Sequence, residues 1–399
     1  MDAYTWRTQG LGAKGLGLTP RLHRLREEMQ RAEVSALLVS QPESRRYLSG
    51  YSAKDIPPRE SAGYLFITED RQIIFTDPRT EEAAATQAPG FELRVYRAGA
   101  PMREMLRNIV NEAHVGKVGF DASHLTHETW RALADALDEV AELAAAPPIV
   151  DRLRMVKDTD EIEALRASIR LNEAAFAHLA HILRPGIAEL ELAWEMENYV
   201  RTHGGEGVSF DPITVGGANS AIPHAQPSER PVGADELVLF DIGALRHGYC
   251  SDMTRTVCID GVDPKLEQIW DVVVDAQAEA EGRARPGMTG AEVDALARGV
   301  IDAAGYGEQF VHGTGHGIGL EIHEPPWITP SRGVDVLEPG MVFSIEPGVY
   351  LPGLGGVRME DLVLLTTTGA EVLSTSPKTL MLADTLAELR SEVVVDLDR

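Results

Sequence analysis

A chain of 399 residues, 44% hydrophobic and 25% charged, has a soluble globular composition and the length of about two domains. Asp and Glu outnumber Lys and Arg by 62 to 37, a formal charge of −25, which argues against binding to nucleic-acid phosphates or anionic membranes, where Lys and Arg must dominate. No apolar run reaches the roughly 18 residues of a membrane-spanning helix, and two cysteines, Cys250 and Cys258, are too few for a disulfide framework, so a reducing cytoplasm is the expected setting.

Residues 1–19 read as a loose, glycine-bearing arm, without the basic start and apolar core of an export signal. An α/β domain is expected over 20–150. Helical patterns near 21–32 and 127–143 alternate there with the strand-like runs VSALLV (34–39), GYLFIT (63–68) and QIIFTD (72–77). The proline pair of Ala145-Ala-Pro-Pro148 closes this domain, since proline stops helices and removes strand donors.

A second domain, expected over 157–390, opens on a helix. Asp158 or Thr159 caps it, Glu161 and Glu163 sit near its positive end, and Ile162, Leu165, Ile169, Phe176, Leu179 and Leu183 recur at helical spacing as far as Arg184-Pro-Gly186. Arg184-Pro-Gly-Ile returns 101 residues later as Arg285-Pro-Gly-Met; at the same offset Glu191 matches Glu292 and Gly204 matches Gly305. Each copy is followed by an apolar strand carrying an acid, LVLFDIG and then MVFSIEPG. Two related halves facing each other would place a site at their shared centre.

The acids in those strands carry the chemistry. A two-residue turn at Arg246-His247 sets Asp241 and Asp252 directly opposite each other on one face of a hairpin. Glu346 and Glu360 flank a second hairpin, whose glycine-rich centre near Gly353 is a turn signal. Ionised carboxylates this close repel and must take up a proton or a cation. Four of them on two hairpins suit a pair of divalent cations about 3.5–4 Å apart.

Further ligands are expected from FVHGTGHGIGLEIH (310–323). His312 and His316 share a face if extended, His323 follows, and the glycines between them allow close approach of backbone and metal. His224 is the corresponding candidate in the first half.

Together FDIG…SDMTRT, HGTGHGIGLEIHE, SIEPGVY and GGVRMED resemble the metallopeptidases of the pita-bread fold, and within them the proline-specific branch of prolidase (Xaa-Pro dipeptidase) and aminopeptidase P. The motifs span about 157–385, and Ser44-Arg-Arg-Tyr-Leu-Ser-Gly-Tyr51 places the first domain with the creatinase/prolidase N-terminal type. The implied fold is an α/β N-terminal domain plus an α+β pita-bread catalytic domain with an internal pseudo-twofold repeat. The resemblance implies two divalent metal ions per subunit, with Asp241 chelating one, Asp252 and Glu360 bridging both, and His316 with Glu346 completing the other. One imidazole among carboxylates favours Mn2+, with Co2+ or Zn2+ as alternatives.

The implied reaction is hydrolysis of the Xaa-Pro bond by a metal-bridging hydroxide, with Glu346 as proton shuttle. His224, His312, His323, Tyr350 and Arg358 would line the substrate pocket, with His224, His323 and Arg358 also aiding the chemistry. Length favours prolidase acting on dipeptides; the alternatives are an aminopeptidase P acting on longer peptides and a pita-bread protein-binding module without catalysis. The family also implies a homodimer. Arg46, ahead of Arg45, is the candidate clamp for a dipeptide carboxylate, reaching the partner subunit's site. Relatives often carry tyrosine where this chain has Arg246, which reads as an exposed turn arginine.

Overall fold

The computed structural model describes residues 18–56 and 60–396. A helix has already begun at Leu18, so the arm expected over 1–19 lies, but for its last two residues, outside them. The chain divides into two units, Met1–Arg154 and Met155–Arg399.

The first unit runs α1 (Leu18–Arg31), β1 (Ala36–Val39), α2 (Pro42–Ser49), β2 (Gly63–Thr68), β3 (Gln72–Thr76), α3 (Glu81–Gln87), β4 (Glu92–Val95), α4 (Met102–Glu112), β5 (Lys117–Phe120), α5 (His127–Leu137), β6 (Glu142–Ala145) and α6 (Ile149–Met155). Its six strands form one mixed sheet in the order β4-β3-β2-β1-β5-β6. Leu38, Phe66, Ile73 and Phe75 of the sheet meet Leu106, Ile109 and Val110 of α4 and Leu133 and Leu137 of α5 in one core. The helix expected over 127–143 stops at Leu137. Glu139 takes φ 64°, and Glu142–Ala145 pairs parallel to β5, so sheet completion overrides the helical pattern. The unit boundary falls after the proline pair because Ile149–Met155 is itself a helix.

Arg45, on α2, is fully buried. It pairs with Asp55 at 2.7 Å and donates to the carbonyls of Ser40, Ala53 and Gly63. Its guanidinium pins the loop between α2 and β2, so it has no role as a carboxylate clamp. Arg46, the next residue, is half-buried.

The second unit contains α7 (Thr159–Ile182), α8 (Glu189–Thr202), β7 (Gly207–Val208), β8 (Ile213–Gly216), β9 (Leu237–Ile242), β10 (Ala244–Arg246), β11 (Tyr249–Cys250), β12 (Met253–Cys258), α9 (Pro264–Arg283), α10 (Gly290–Ala303), β13 (Gly315–Gly317), β14 (Glu324–Ile328), β15 (Val342–Ile345), β16 (Gly348–Leu351), β17 (Gly355–Arg358), β18 (Asp361–Leu365), β19 (Ala370–Val372) and α11 (Leu382–Asp396). Asp158 caps α7 in a reciprocal capping box with Glu161.

The repeat is visible in the backbone. α8 and α10 are both 14 residues long and start 101 residues apart, and α7 and α9 end at the same offset. Gly186 and Gly287 take φ 87° and 91°, and Gly204 and Gly305 take 88° and 86°, so the left-handed turns that bound each second helix recur too. In the first half, Phe176 and Leu179 of α7 and Leu192 and Met196 of α8 cover Val238 and Phe240 of the antiparallel sheet β12-β9-β8. In the second half, Ile269 and Val273 of α9 and Val293 and Ala297 of α10 cover Phe343, Ile345 and Val363 of the sheet β14-β13-β15-β18-β19.

The first acid-bearing hairpin departs from the expected register. Asp241 pairs with Thr254, and beyond the strand ends Leu245 pairs with Cys250 in the same register. Asp252 therefore stands opposite Gly243, a diagonal neighbour of Asp241 rather than its direct partner. The two-residue turn is His247-Gly248, with φ 54° and 78°, a primed turn that fits the twist of the strands. Arg246 ends β10, half-buried, and is not an exposed turn residue. In the second hairpin the register is common to β15–β18 and β16–β17 and sets Glu346 opposite Glu360, with the turn centred on Gly353 at φ 80°.

Candidate metal centre

The two halves meet where Glu360 N donates to the Thr254 carbonyl at 3.1 Å, joining the inner strands of the hairpins. Around this seam the carboxylates converge. One ligand atom from each of Asp252, His316 and Glu360 lies within 4.8 Å of the others, and all three residues are buried. His316 Nε2 is 3.7 Å from Asp252 Oδ2 and 3.3 Å from Glu346 Oε1. Asp241 is turned toward Arg358 and ion-pairs with its guanidinium.

His316 sits at a bulge in β13, and its neighbouring glycines are there for the strands beside them. A Cβ on Gly315 would fall 2.0 Å from the Ser344 carbonyl oxygen, and one on Gly317 would fall 2.3 Å from that of Pro325. The glycines thus let neighbouring backbone come close. His316 Nδ1 lies 3.1 Å from the Gly317 carbonyl oxygen, which can only accept. The proton is therefore on Nδ1, and Nε2 faces the acids as a metal-binding imidazole nitrogen does.

A divalent cation fits this group of residues. Asp252 Oδ1 and Glu360 Oε1 are buried without a hydrogen-bond partner, a costly state for carboxylate oxygens that a cation relieves. Burial, then the charge of Glu360, pushes the Asp252 carboxyl well above the usual range. Burial, then the charges of Glu346 and Asp241, does the same to Glu360. Glu346 goes the other way: burial opposes its charge, but the hydrogen bond and charge of His316 outweigh it and bring the carboxyl down to about 2. Against its burial, His316 is raised in turn by its hydrogen bond to Glu346 and by that carboxylate's charge.

A second set of groups forms a chain beside the acids. Arg358 NH1 donates to the Tyr350 hydroxyl at 2.7 Å, and that hydroxyl lies 2.9 Å from His312 Nε2. His312 Nδ1 donates to the Gly313 carbonyl at 2.7 Å, so in the neutral ring Nε2 is an acceptor and Tyr350 is its donor. Burial holds His312 below the ordinary histidine range and pushes the Tyr350 phenol up to about 12. His323 is exposed but packs edge-on to His316 with ring centroids 4.3 Å apart; desolvation by its neighbours, then the charge of His316, brings its pKa down to about 4. His224 is exposed, and its charge bears on Asp241 and His323. Arg358 NH1 also reaches the carbonyl of Pro223, next to His224, at 3.3 Å.

Sequence reasoning missed the polar residues that hold these groups. Thr254 donates to Glu360 Oε2 at 2.8 Å and accepts from Arg358 Nε at 3.2 Å. Ser344 donates to Glu346 Oε1 at 3.1 Å and accepts from the His316 amide at 3.0 Å. Both stand in quoted motifs, SDMTRT and SIEPGVY, and mid-strand placement was their signal. Glu189, fully buried at the start of α8, accepts from Gly216 N, Asn219 Nδ2, Ser228 N and Ser228 Oγ. It ties together both ends of the segment that carries His224. Among the described residues no helix is long and apolar enough to cross a membrane.

Residues 163–367 match the metallopeptidase family M24 model, and residues 21–156 match the creatinase/prolidase N-terminal domain. The chain is 32% identical to a Xaa-Pro dipeptidase of Pyrococcus furiosus over 90% of its own length and 99% of that protein. Among solved structures it is similar to a Xaa-Pro dipeptidase from Bacillus anthracis, with a TM-score of 0.85 and 37% identity over 91% of this chain and 99% of that one. An X-Pro aminopeptidase from Thermotoga maritima MSB8 follows at 0.79 and 32%, covering 89% and 99%. With the creatinase/prolidase N-terminal domain ahead of it, the two-halved α+β unit whose acids and histidine converge at the seam carries the M24 match, and the chain belongs to metallopeptidase family M24.

Proposed function

We propose that this chain hydrolyses the Xaa-Pro peptide bond, preferentially in dipeptides, as a prolidase working with two divalent metal ions, Mn2+ foremost. The observation that carries this reading is the pair of unpartnered, buried oxygens of Asp252 and Glu360 beside His316 Nε2, in a chain similar over at least 90% of its length to Xaa-Pro dipeptidases.

Asp252, Glu360, His316 and Glu346 would hold the cations, with Asp241 joining them when it leaves Arg358. Bound there, the cations supply Lewis acidity and a water acidic enough to attack at neutral pH. Glu346, ionised and oriented by Ser344, takes the proton of the attacking water and passes it to the prolyl nitrogen as the bond breaks. Arg358, freed from Asp241, and the histidines His224 and His323 face the developing oxyanion and the peptide termini. Tyr350 and His312 complete the pocket wall. Proline selectivity follows from a tertiary amide nitrogen that has no N–H to grip, so recognition must come from a pocket shaped for the ring.

We further infer that Arg46 clamps the dipeptide carboxylate from the partner subunit of a homodimer, and that the protein works in the cytoplasm, in keeping with its two free thiols. The second reading is an aminopeptidase P, favoured by the similarity to the Thermotoga maritima X-Pro aminopeptidase. The deciding experiment strips metal with a chelator, restores Mn2+ and compares rates on Ala-Pro, Ala-Pro-Ala and a Met-peptide. Fast, Mn2+-dependent cleavage of Ala-Pro supports prolidase, and faster cleavage of Ala-Pro-Ala supports the second reading. Cleavage of the Met-peptide alone, or indifference to metal, overturns both.

A further inference from the structure

Asp294 and Arg298 lie one turn apart on α10, in the order that suits an acid–base pair on a helix. Arg298 donates to Asp294 through two nitrogens, Nε to Oδ2 at 2.8 Å and NH2 to Oδ1 at 2.9 Å, and Asp294 is buried. Neither residue belongs to the acid cluster or to the Arg358–Tyr350–His312 chain.

The pair spends its remaining bonds on one segment. Arg298 NH1 donates to the Phe310 carbonyl at 3.2 Å and NH2 to the His312 carbonyl at 2.8 Å. Asp294 Oδ1 accepts from the amide and the hydroxyl of Thr314, each at 2.9 Å. The guanidinium also lies 4.1 Å over the Phe310 ring, which meets the His312 imidazole edge-on at 5.1 Å between centroids. The backbone on both sides of His312 is thus fixed, and so is the ring against which its imidazole rests. The far end of the segment is fixed too, since Glu346 N donates to the Thr314 carbonyl at 2.7 Å.

A buried ion pair adds little net stability over an apolar pair of the same volume. What an apolar pair cannot supply is directional bonding to three backbone groups and a hydroxyl across five residues. Removing that frame would let the imidazole shift by a fraction of an ångström to an ångström, and such a shift at a reacting centre costs up to about 100-fold in rate. We infer that Asp294 and Arg298 are positioning residues that set His312 against Tyr350 for the substrate. The inference rests on the peptidase reading only in taking His312 to face substrate.

The test is a double-mutant cycle on the full-length, Mn2+-loaded enzyme, with Ala-Pro as substrate and metal content and Tm measured for each variant. Arg298→Leu is expected to lower kcat/KM by about 10- to 100-fold with metal content unchanged, while adding nothing in the His312→Ala background. Multiplying effects would mean general damage and would overturn the inference, as would an Arg298→Leu enzyme of wild-type rate. Should Arg298→Leu not fold, Thr314→Val removes one bond to Asp294 and enters the same cycle. Imidazole 15N spectra of the metal-free protein provide the second arm. His312 is expected to show one Nδ1–H tautomer in the wild type and a mixture in the variant; identical spectra overturn the inference. That arm reads the frame even if no Xaa-Pro peptide is cleaved, so the two readings fail separately.

Discussion

Arg358 donates to the Tyr350 hydroxyl at 2.7 Å, and the same guanidinium ion-pairs with Asp241, so one buried cation joins the pocket wall to the acid cluster. Removing the phenol takes the donor from His312 Nε2 and leaves that Arg358 nitrogen only its longer bond to the Pro223 carbonyl. Tyr350→Phe is expected to lower kcat/KM by about tenfold, near the net value of one hydrogen bond to a charged group. Metal content should not change. Metal loss in this variant would instead place Tyr350 among the groups that hold the cluster together.

Glu360→Gln should split stability from loading. In metal-free protein at neutral pH it removes a buried carboxyl whose ionisation is strongly opposed by burial and by Glu346 and Asp241. The metal-free variant should therefore melt at or above the metal-free wild type. The wild type should gain stability as Mn2+ is added, and the variant should gain little. Thermal melts with and without Mn2+ decide this, and equal metal-induced gains would remove Glu360 from the ligand set.

Glu281, on α9, gives a pH signature away from the acids of the seam. It bonds Lys378 at 3.1 and 3.2 Å, yet burial, then the charge of Asp361, brings its pKa up to about 7. The folded chain thus keeps a proton that the unfolded chain, at the ordinary 4.5, has released. The stability this contributes is fully present below about pH 4.5 and is lost as pH rises toward 7. In metal-loaded protein, Glu281→Gln should flatten the decline across that window, a difference of up to about 3 kcal/mol. Parallel profiles for the two proteins would show that Glu281 ionises normally.

Arg45 and Arg46 are adjacent on α2 and should behave oppositely. Arg45→Ala leaves Asp55 buried without its cation and should cost about 3–5 kcal/mol of stability in unfolding experiments. Arg46→Ala should cost clearly less stability than Arg45→Ala and lower the preference for Ala-Pro over Ala-Pro-Ala. An unchanged preference would end its role as the carboxylate clamp.

Glu189→Ala should loosen the segment that bears His224. Four donors lose their buried acceptor, and a loss of about 3 kcal/mol is expected. Hydrogen exchange of the Gly216 and Ser228 amides should quicken well beyond that of the β9 amides. Uniform quickening would make Glu189 a general core residue.

Local signals in the sequence were reliable where one residue decides the outcome. The cap at Asp158, the stop after Ile182 and the turn at Gly353 all stand where their residue types require. The first hairpin slipped because His247 adopts a left-handed conformation that histidine seldom takes, which moves the turn by one residue and Asp252 from partner to diagonal neighbour of Asp241. That Arg45 is a buried structural residue was not legible, because only the tertiary fold decides which of two neighbours on a short helix turns inward. Asp294 and Arg298 were hidden for a related reason: an acid and a base four apart on a helix usually mark a solvated face. Here both bond the irregular segment that leads into β13.

The exact 101-residue spacing of the second helices and their left-handed glycines means that each half is built on one common frame with its own apolar core. The chemistry is not shared out in the same way. Asp241 and Asp252 come from one frame, and His316, Glu346 and Glu360 from the other. On the proposed ligand set neither half is complete by itself, so the unit is in effect a dimer fused head to tail through the short link between Cys258 and Pro264. A cut in that link would yield two inert fragments whose activity returns only on reassociation, which makes the unit a natural subject for fragment complementation.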